Sequence, residues 1–502
     1  MREYARRFGA RPAVIAPDRT LSWAQLDAAA DALAGRQVAA GATAGDRIGW
    51  LGCNRPEHPV LVIAARRARL ALVGLNWRLS PAELDYIIRD ATPRLVVGEQ
   101  QFRALVPAGV ALEAVDDGAG GGFLDALARA AGRLSGVRRP PQDDDPAFLL
   151  YTSGTTGRPK GVMNSLAGVE QALLAPQPHG FQPDSVLLIV PPLFHVAGAM
   201  WSQYALLFGM TQVLLPQATP AAMLDAVERH RVTHLLLVPT LVQMALAEQQ
   251  RQPRDLGSVE NISYGAAPMP PALLRAAADA FRCRFVQAYG MTETLCAVCH
   301  LPPAAHRFDQ TGEEAHPPTG FPDPGVALRI VDPGDGRTLP PGERGEVQLR
   351  TPWPRPTYWS LPEGTASSFD ADGWLHTGDV GFLDDDGCLH LVDRLGDMII
   401  SGGENVYPAE VEAVLGTHPA VADCGVVGVP HELWGEQVVA AVVLRGQAGV
   451  EPAALADWCR ERLAHYKCPR RVVVLAELPR NATGKVQRRA LREHLRAAMS
   501  AR

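Results

Sequence analysis

One run of the sequence has the residue types needed to hold a polyanion. Residues 151–161 read YTSGTTGRPKG and follow the apolar residues 148–150, which predict the end of a buried strand. Glycines let several backbone N–H groups face one point, and hydroxyls add further donors. The common nucleotide pattern G-x-x-x-x-G-K-[ST] does not occur. Taken alone, the run is also typical of a surface loop.

Two further groups carry side chains that suit a nucleotide. Residues 289–293, YGMTE, follow a predicted buried strand, where α/β proteins place binding residues. Tyr289 can stack on a base, and the carboxylate of Glu293 is a ligand type that Mg²⁺ prefers. Asp379 suits a ribose diol, and Arg394 suits a phosphate. Each of these residues, taken singly, is equally compatible with a structural role.

The use of lysine in this chain is unusual. Lys and Arg total 48, and three of them are lysine: Lys160, Lys467 and Lys485. Lys160 and Lys485 lie in Gly/Thr-rich runs, at 154–160 and 481–485. Because an ammonium is a compact charge on a flexible stem, we expect these two lysines to contact phosphate groups. Chance retention of lysine is the alternative.

The order of the predicted elements places these groups at the ends of strands. Apolar runs alternate with amphipathic stretches from the start of the chain to about residue 290, which predicts parallel sheet covered by helices. Ser22 is expected to cap a helix that ends near Gly41. The predicted strands are 13–16, 47–51, 70–75, 94–97, 186–190, 212–215, 234–238, 262–264 and 284–287.

The pattern changes in the last third of the chain. Runs 326–331 and 346–350, separated by a Gly/Pro-rich turn, predict antiparallel strands of a small β subdomain. A further α+β unit follows Arg394, with a final basic helix at 486–498. We therefore expect an α/β protein with a large N-terminal domain, 1–394, and a small mobile C-terminal domain, 395–502, hinged near Gly396.

Composition excludes several classes of protein. With 502 residues, 47% apolar and 20% charged, the chain has the profile of a multidomain globular protein. A net charge of −6 implies no general surface for nucleic acid. The first residues, MREYARRF, lack the apolar core of a signal peptide, and no apolar run is long enough for a membrane span. We expect a cytoplasmic protein, and the sequence leaves its oligomeric state open, a homodimer included.

The eight cysteines do not predict a disulfide framework in so long a chain. Residues 296–300, CAVCH, match the haem attachment pattern C-x-x-C-H. That chemistry needs export, and a second C-x-x-C that could complete a zinc site is missing. We therefore expect neither haem nor zinc, and we interpret Cys296 and Cys299 as packed thiols.

In this order and spacing, the segments at 151–161, 289–293, 377–379, 393–394 and 481–485 resemble the adenylate-forming superfamily. This superfamily includes acyl-CoA synthetases, firefly luciferase and the adenylation domains of non-ribosomal peptide synthetases. The resemblance covers essentially the whole chain. It implies an acyl-CoA ligase that uses ATP, Mg²⁺ and coenzyme A: a carboxylic acid is adenylated, pyrophosphate leaves, and a thiol then displaces AMP.

The resemblance also implies roles for individual residues. Lys485 bridges the acid and the α-phosphate, Thr292 contacts that phosphate, and Glu293 binds Mg²⁺. Asp379 holds the ribose, and Arg394 is a second nucleotide contact. The remaining expected contacts are Thr152, Ser153, Gly154, Thr155, Thr156 and Lys160 for the leaving phosphates; Gly265, Ala266, Ala267, Tyr289, Gly290 and Met291 for the base; His195, Val196, Met200 and Val238 for the acyl pocket; and Gly402, Gly403 and Glu404 for the thioester step.

The chain departs from the family pattern in two places. Relatives usually have Asp or Lys at the hinge, where this chain has Gly396, and a Thr-His-Arg-like run after the phosphate loop is replaced by residues 164–167, NSLA. The balance of the two half-reactions is therefore open. An enzyme that performs mainly one half-reaction, transfer to a carrier protein, and a binding protein without turnover remain alternatives. The apolar surroundings of His195 favour an apolar acid over a dicarboxylate or an amino acid.

Overall fold

The computed structural model describes residues 2–116, 122–130, 140–152, 159–267, 269–306, 318–401, 404–431, 434–446, 449–480 and 485–500. Its helices are α1 (Arg2–Arg7), α2 (Trp23–Ala39), α3 (Glu57–Ala68), α4 (Pro81–Ala91), α5 (Phe123–Ala130), α6 (Leu166–Leu174), α7 (Val196–Phe208), α8 (Pro220–His230), α9 (Pro239–Arg251), α10 (Pro271–Phe281), α11 (Pro362–Ser368), α12 (Pro408–Gly416), α13 (Pro452–Arg460) and α14 (Arg488–Ser500). Among the helices of these ranges, none has both the length and the apolar character that a membrane span requires.

The strands alternate with the helices over most of the chain. They are β1 (Pro12–Ala16), β2 (Arg19–Ser22), β3 (Arg47–Leu51), β4 (Ala71–Gly74), β5 (Leu95–Gly98), β6 (Leu112–Ala114), β7 (Pro146–Thr152), β8 (Lys160–Ser165), β9 (Val186–Ile189), β10 (Thr211–Leu214), β11 (His234–Leu237), β12 (Asn261–Gly265), β13 (Arg284–Gly290), β14 (Ala297–Leu301), β15 (Phe321–Pro322), β16 (Ala327–Val331), β17 (Gly345–Arg350), β18 (Thr357–Tyr358), β19 (Leu375–Leu383), β20 (Leu389–Arg394), β21 (Ile399–Ser401), β22 (Glu404–Val406), β23 (Val421–His431), β24 (Gly435–Leu444) and β25 (Arg471–Val474).

The chain divides into two compact units. The first comprises Met1–Phe308, Pro322–Val326 and Thr351–Gly373, and the second comprises Asp309–Phe321, Ala327–Arg350 and Trp374–Arg502. This division groups strands β16, β17, β19 and β20 with the C-terminal residues. The expected hinge near Gly396 stays a prediction.

The first unit contains two large sheets. One has the order β14-β13-β12-β11-β9-β10-β1-β2, and the other has the order β18-β8-β7-β4-β3-β5-β6. Strands β9, β11, β12 and β13 are consecutive neighbours and run parallel. Helices α8, α9 and α10 bury the apolar residues of one face of the first sheet, including Leu235, Ile262 and Phe285. The predicted layering of helices on parallel sheet is confirmed.

The second unit contains two smaller sheets. The predicted antiparallel pair is confirmed, because β16 and β17 pair in register from Ala327 with Arg350 to Val331 with Glu346. Strands β19 and β20 complete this sheet, which has the order β16-β17-β19-β20. The other sheet has the order β22-β21-β24-β23, with β25 parallel to β24, and buries apolar residues on both faces.

Local capping explains several element boundaries. The side chain of Ser22 accepts a hydrogen bond from Gln25 N, and that of Gln25 accepts one from Ser22 N, which forms a capping box at the start of α2. The prediction of a cap at Ser22 is confirmed. The sequence pattern predicts that the final helix begins at residue 486, but Val486 pairs with Arg480 in an isolated bridge and α14 begins at Arg488.

Candidate active site

Four parallel strands of the first unit bring most of the predicted binding residues to one edge of their sheet. The chain leaves β9 towards His195, β11 towards Val238, β12 at Gly265, and β13 into the 289–293 segment. Neighbouring strands lie about 4.8 Å apart, and these strands run parallel, so their carboxyl ends meet along one edge. Ligands of open α/β sheets bind at such an edge.

The backbone at the end of β12 is tightly constrained. A side chain at Gly265 would place its Cβ 2.2 Å from the carbonyl oxygen of Ala288, so only glycine fits there. Ala266 follows in the left-handed region with a φ of 65°. An alanine in this conformation costs about 1–2 kcal/mol. Strain of this kind is typical of binding segments, and it lies where the sequence predicts the adenine contact.

The segment after β13 is held by its own hydroxyls. Thr294 Oγ1 accepts from Met291 N at 2.9 Å and donates to the carbonyl oxygen of Cys296 at 2.8 Å. A side chain at Gly290 would place its Cβ 2.3 Å from that same carbonyl. Thr292 is 8% exposed and Tyr289 is 9% exposed. These contacts fix the backbone that presents Glu293.

Glu293 has a partner that the sequence analysis missed. The hydroxyl of Tyr358 donates to Glu293 Oε1 at 2.6 Å. The ammonium of Lys160 lies 5.3 Å from the centre of the same tyrosine ring, which is the arrangement of a cation–π contact. Tyr358 thereby connects the predicted metal ligand with the predicted phosphate lysine. Burial and, to a smaller extent, the negative charge of Glu293 raise the pKa of the Tyr358 hydroxyl, so this hydroxyl remains a donor at neutral pH.

The two ends of the predicted phosphate loop face each other across a strand pair. Thr152 and Lys160 are direct partners in the antiparallel ladder of β7 and β8. Tyr151 donates to Asp90 Oδ2 at 2.5 Å and anchors the strand that enters the loop. Ser153, Gly154, Thr155 and Thr156 lie outside the described residues. The structure therefore places the base of the loop, and the roles of its hydroxyls stay predictions.

His195 has a structural task as well as its predicted one. It is the N-cap of α7, and its Nδ1 accepts from Ala197 N at 3.3 Å. Burial lowers the pKa of the ring, so the neutral form is favoured. Val196 opens α7, Met200 lies buried one turn further on, and Val238 is the N-cap of α9. The structure thus puts the four predicted acyl-pocket residues at the starts of two helices that follow neighbouring strands.

In the second unit, three predicted site residues form one electrostatic group. Asp379 and Arg394 are ladder partners on β19 and β20, and Arg394 Nε lies 3.1 Å from Asp379 Oδ1. Lys485 is exposed overall, but desolvation of its ammonium and then the charge of Arg394 lower its pKa, while the Asp379 carboxylate opposes this. Lys485 therefore interacts electrostatically with Asp379 and Arg394, although it lies more than ninety positions after them in the sequence.

The expected hinge glycine is not required by the conformation that the structure shows. A Cβ added at Gly396 would meet nothing within 4 Å, and the φ of this residue is not positive. Gly402 and Gly403 lie outside the described residues. Glu404 is placed only by its backbone, on β22 opposite Ser401.

Arg488 ties the elements next to the predicted hinge together. Its guanidinium lies 2.8 Å from Glu412 Oε2, 3.5 Å from Asp393 Oδ1 and 3.9 Å from Asp397 Oδ2. Asp393 also accepts from Ala409 N at 2.8 Å at the start of α12. Burial raises the pKa of Glu412 to about 7. Asp393, which the sequence placed beside the nucleotide contacts, therefore anchors the fold.

Residues 1–359 match the model of the AMP-binding enzyme family. The chain belongs to this family. Residues 410–485 match the model of the AMP-binding enzyme C-terminal domain. Both matches agree with the predicted membership of the adenylate-forming superfamily, which is confirmed.

Relatives of this AMP-binding enzyme cover nearly its whole length. It is 38% identical over 480 residues to a feruloyl-CoA synthase of Amycolatopsis sp, covering 93% of this chain and 92% of the relative. It is 36% identical over 493 residues to the fatty acid–[acyl-carrier-protein] ligase ScoC of Streptomyces coeruleorubidus, covering 96% and 93%. The solved o-succinylbenzoate CoA synthetase (MenE) of Bacillus subtilis, in complex with the acyl-adenylate intermediate OSB-AMP, matches with a TM-score of 0.85 and 32% identity over 98% and 97% of the chains.

Two groups of residues in this AMP-binding enzyme have side chains of the types that bind metals. Cys299 and His300 are successive residues of β14, so their side chains point to opposite faces of the sheet. Asp384, Cys388 and His390 lie in one hairpin with ligand atoms within 4.8 Å of one another. Asp384 accepts from Cys388 N at 2.8 Å and contacts His390 Nε2 at 3.0 Å, which stabilises the turn.

Proposed function

We propose that this AMP-binding enzyme is an acid–thiol ligase. It joins a carboxylic acid to ATP, releases pyrophosphate, and passes the acyl group to coenzyme A with release of AMP. One observation carries the proposal: in a chain of this family, Arg394 and Asp379 form an ion pair, and the charges of both residues act on the ammonium of Lys485. Relatives whose names state CoA ligation, such as the feruloyl-CoA synthase, support it.

The first half-reaction brings two anions together, because the carboxylate of the acid attacks the α-phosphorus of ATP. Lys485 supplies a mobile positive charge for the acid and the α-phosphate, and Arg394 supplies a second one beside the ribose ligand Asp379. Lys160 and the hydroxyls of the 151–161 loop receive the departing phosphates. One such donor is worth roughly 3–4 kcal/mol, or about 10²–10³ in rate.

Glu293 is the proposed Mg²⁺ ligand. A carboxylate at a phosphate site is the type of donor that Mg²⁺ takes together with phosphate oxygens and water. The bound ion would offset the charge of the phosphates. The hydrogen bond from Tyr358 orients this carboxylate, and the strand pair of β8 and β18 holds Tyr358 in place.

The second half-reaction breaks the acyl–phosphate bond. The thiolate of coenzyme A attacks the acyl carbon, and AMP leaves with the bonding electrons. We propose that Gly402, Gly403 and Glu404 line the path of the thiol and that the C-terminal domain turns about Gly396 between the two steps. The acid is apolar, because the predicted pocket residues His195 and Met200 are a neutral imidazole and a buried thioether.

A carrier protein is the second candidate for the acyl acceptor. The relative ScoC is named as a ligase of a fatty acid and an acyl carrier protein, and its identity to this chain is close to that of the CoA ligases. Both acceptors present a thiol, so the adenylation step is the same for the two candidates.

One assay separates these functions. The enzyme is incubated with MgATP, a panel of apolar acids and either coenzyme A or a phosphopantetheinylated carrier protein, and AMP and thioester are measured. AMP together with CoA thioester supports the first candidate, and thioester on the carrier protein alone supports the second. If no acid yields AMP with either acceptor, the ligase proposal is wrong.

A variant tests the role of Lys485. Lys485→Ala should lower adenylation by about 10²–10³, while thioester formation from a supplied acyl-adenylate stays within a few-fold. Arg489→Ala is the matched control, because Arg489 is an exposed cation of the same unit that contacts Glu493 on the surface. Equal loss of both half-reactions would show that the role of Lys485 is misassigned.

A further inference from the structure

His300, the last residue of the C-x-x-C-H run, lies beside the predicted acyl pocket. Gly265 of β12 pairs with Ala288 of β13, and Ala288 pairs with His300 of β14. Paired residues of neighbouring strands point to the same face, so His300 shares a face with Gly265, about 10 Å away across the sheet. The opposite face carries Tyr264 and its apolar core.

Buried rings surround His300 on this face. The ring of His179 stands edge-on to the rings of His300 and Trp201, with centroids 5.1 Å and 5.2 Å away. His179 Nδ1 lies 2.9 Å from the hydroxyl of Ser263. We call His179, Trp201, Ser263 and His300 the polar floor. All four are at most 3% exposed.

The polar floor lies at a depth that suits a small acid. Trp201 is six residues beyond His195 on α7, which corresponds to about 9 Å along the helix. Ser263 is two residues before Gly265 on β12, which corresponds to about 7 Å along the strand. The distance from His195 and Gly265 to the polar floor is therefore roughly the length of one aromatic ring with a short side chain, or of a medium aliphatic chain.

Two polar atoms of the floor have no hydrogen-bond partner among the described residues. They are His300 Nε2 and Trp201 Nε1, on side chains that are 3% and 2% exposed. His300 Nδ1 lies 2.7 Å from Asp323 Oδ1, and since a carboxylate can only accept, Nδ1 carries the proton. In the tautomer that has its one proton on Nδ1, Nε2 is an acceptor, while Trp201 Nε1–H is a donor. Buried polar atoms without a partner are rare and call for an explanation.

We propose that the acid activated by this enzyme carries a hydroxyl group at the end far from its carboxylate, and that His300 and Trp201 recognise it. A hydroxyl both donates and accepts, so it suits His300 Nε2 and Trp201 Nε1. An ammonium could not accept from Trp201, and a carboxylate could not donate to His300. The proposal rests on the proposed ligase function and narrows its substrate from an apolar acid to a hydroxylated one.

The test compares matched pairs of acids that differ only in this hydroxyl. The aromatic pair is 3-phenylpropenoate and its 4-hydroxy derivative, and the aliphatic pair is octanoate and 8-hydroxyoctanoate. We expect kcat/KM for thioester formation to be at least tenfold higher for the hydroxylated member of one pair, and the pair that shows this identifies the carbon skeleton. A site built to bond a hydroxyl discriminates strongly against the analogue that lacks it.

Three variants complete the test. His300→Phe and Trp201→Phe each remove one unpartnered atom and should reduce the preference to less than twofold. Trp201→Phe keeps an aromatic ring and leaves Asp323 paired, so it remains informative if His300→Phe does not fold. Phe181→Leu is the control, because Phe181 packs 5.3 Å from Trp201 without a polar atom and should leave the preference unchanged.

The outcomes separate this proposal from the ligase function. If AMP and thioester form but both pairs react within twofold of each other, the floor does not recognise a hydroxyl, and the ligase function still stands. The same conclusion follows if the preference is present but survives both Trp201→Phe and His300→Phe. If no acid yields AMP, the ligase function fails and the proposal fails with it.

Discussion

Replacement of Tyr358 by Phe tests whether the hydrogen bond to Glu293 contributes to adenylation. The change removes one oxygen and keeps the ring that faces Lys160. A hydrogen bond to a charged acceptor contributes about 1.5–3 kcal/mol. Tyr358 is only partly buried, so we take the lower limit, about 1.5 kcal/mol, which corresponds to roughly a tenfold change in rate. We expect kcat/KM for MgATP in adenylation to fall about tenfold.

The assay is pyrophosphate–ATP exchange with Mg²⁺ titrated at fixed ATP. If Tyr358 orients the metal ligand, Tyr358→Phe should raise the Mg²⁺ concentration at half-maximal rate and leave thioester formation from supplied acyl-adenylate unchanged. Tyr4→Phe is the matched control, since the Tyr4 hydroxyl donates at 2.8 Å to the carbonyl oxygen of Leu207, away from the candidate site. If the two variants behave alike, or if the thioester step falls as much as adenylation, Tyr358 does not position Glu293.

Three further predictions concern strain, buried charge and pH. Ala266→Gly should raise the free energy of unfolding by up to about 1 kcal/mol, since glycine adopts a φ of 65° without strain, and a fall in the thermal midpoint would contradict this. Arg488→Leu should lower the free energy of unfolding, measured with denaturant, by about 3 kcal/mol, because it leaves Glu412 and other carboxylates without their cation. The control Arg489→Leu should lower it by less than about 0.5 kcal/mol. Equal losses would refute the stabilising role of the buried cluster. Desolvation and a neighbouring guanidinium lower the pKa of Lys485 from its ordinary value of 10.5, so its side chain is charged at low pH and loses this charge as the pH rises. Adenylation should therefore fall with rising pH, with a midpoint below 10.5. This fall should disappear in Lys485→Arg, and its persistence would assign it to another group.

Much of the fold follows from local sequence patterns. The strand predicted at 47–51 is β3, with the same bounds, because an apolar run between turn residues is a clear signal. The start of α2 follows from Ser22, whose side chain caps the helix. The start of α14 does not, because residue 486 fits the helical pattern but its backbone is used in a bridge with Arg480. That pairing depends on contacts that a local pattern does not record.

In the candidate site, too, some residues follow from local sequence motifs and others depend on contacts between distant segments. Asp379 and Arg394 belong to recognisable motifs, and the structure makes them ladder partners. Tyr358 could not be found, because it lies in a two-residue strand within a proline-rich stretch and its partner Glu293 is 65 positions away. The buried neighbours of His300 were also missed, since His179, Trp201 and Ser263 come from three distant segments and meet only when the sheet has formed. Long-range packing, rather than residue type, decides these contacts.

The ladder pairing of Thr152 with Lys160 has a consequence for engineering. Thr152 and Lys160, which flank the glycine-rich residues, are both held in the ladder of β7 and β8, so insertions or deletions between them must be accommodated without displacing either anchor. Libraries that substitute residues 153–158 should yield folded proteins, whereas libraries that change the number of residues between Thr152 and Lys160 should yield mostly inactive ones. Substitution, rather than a change of length, is therefore the practical route to altered phosphate binding in this enzyme.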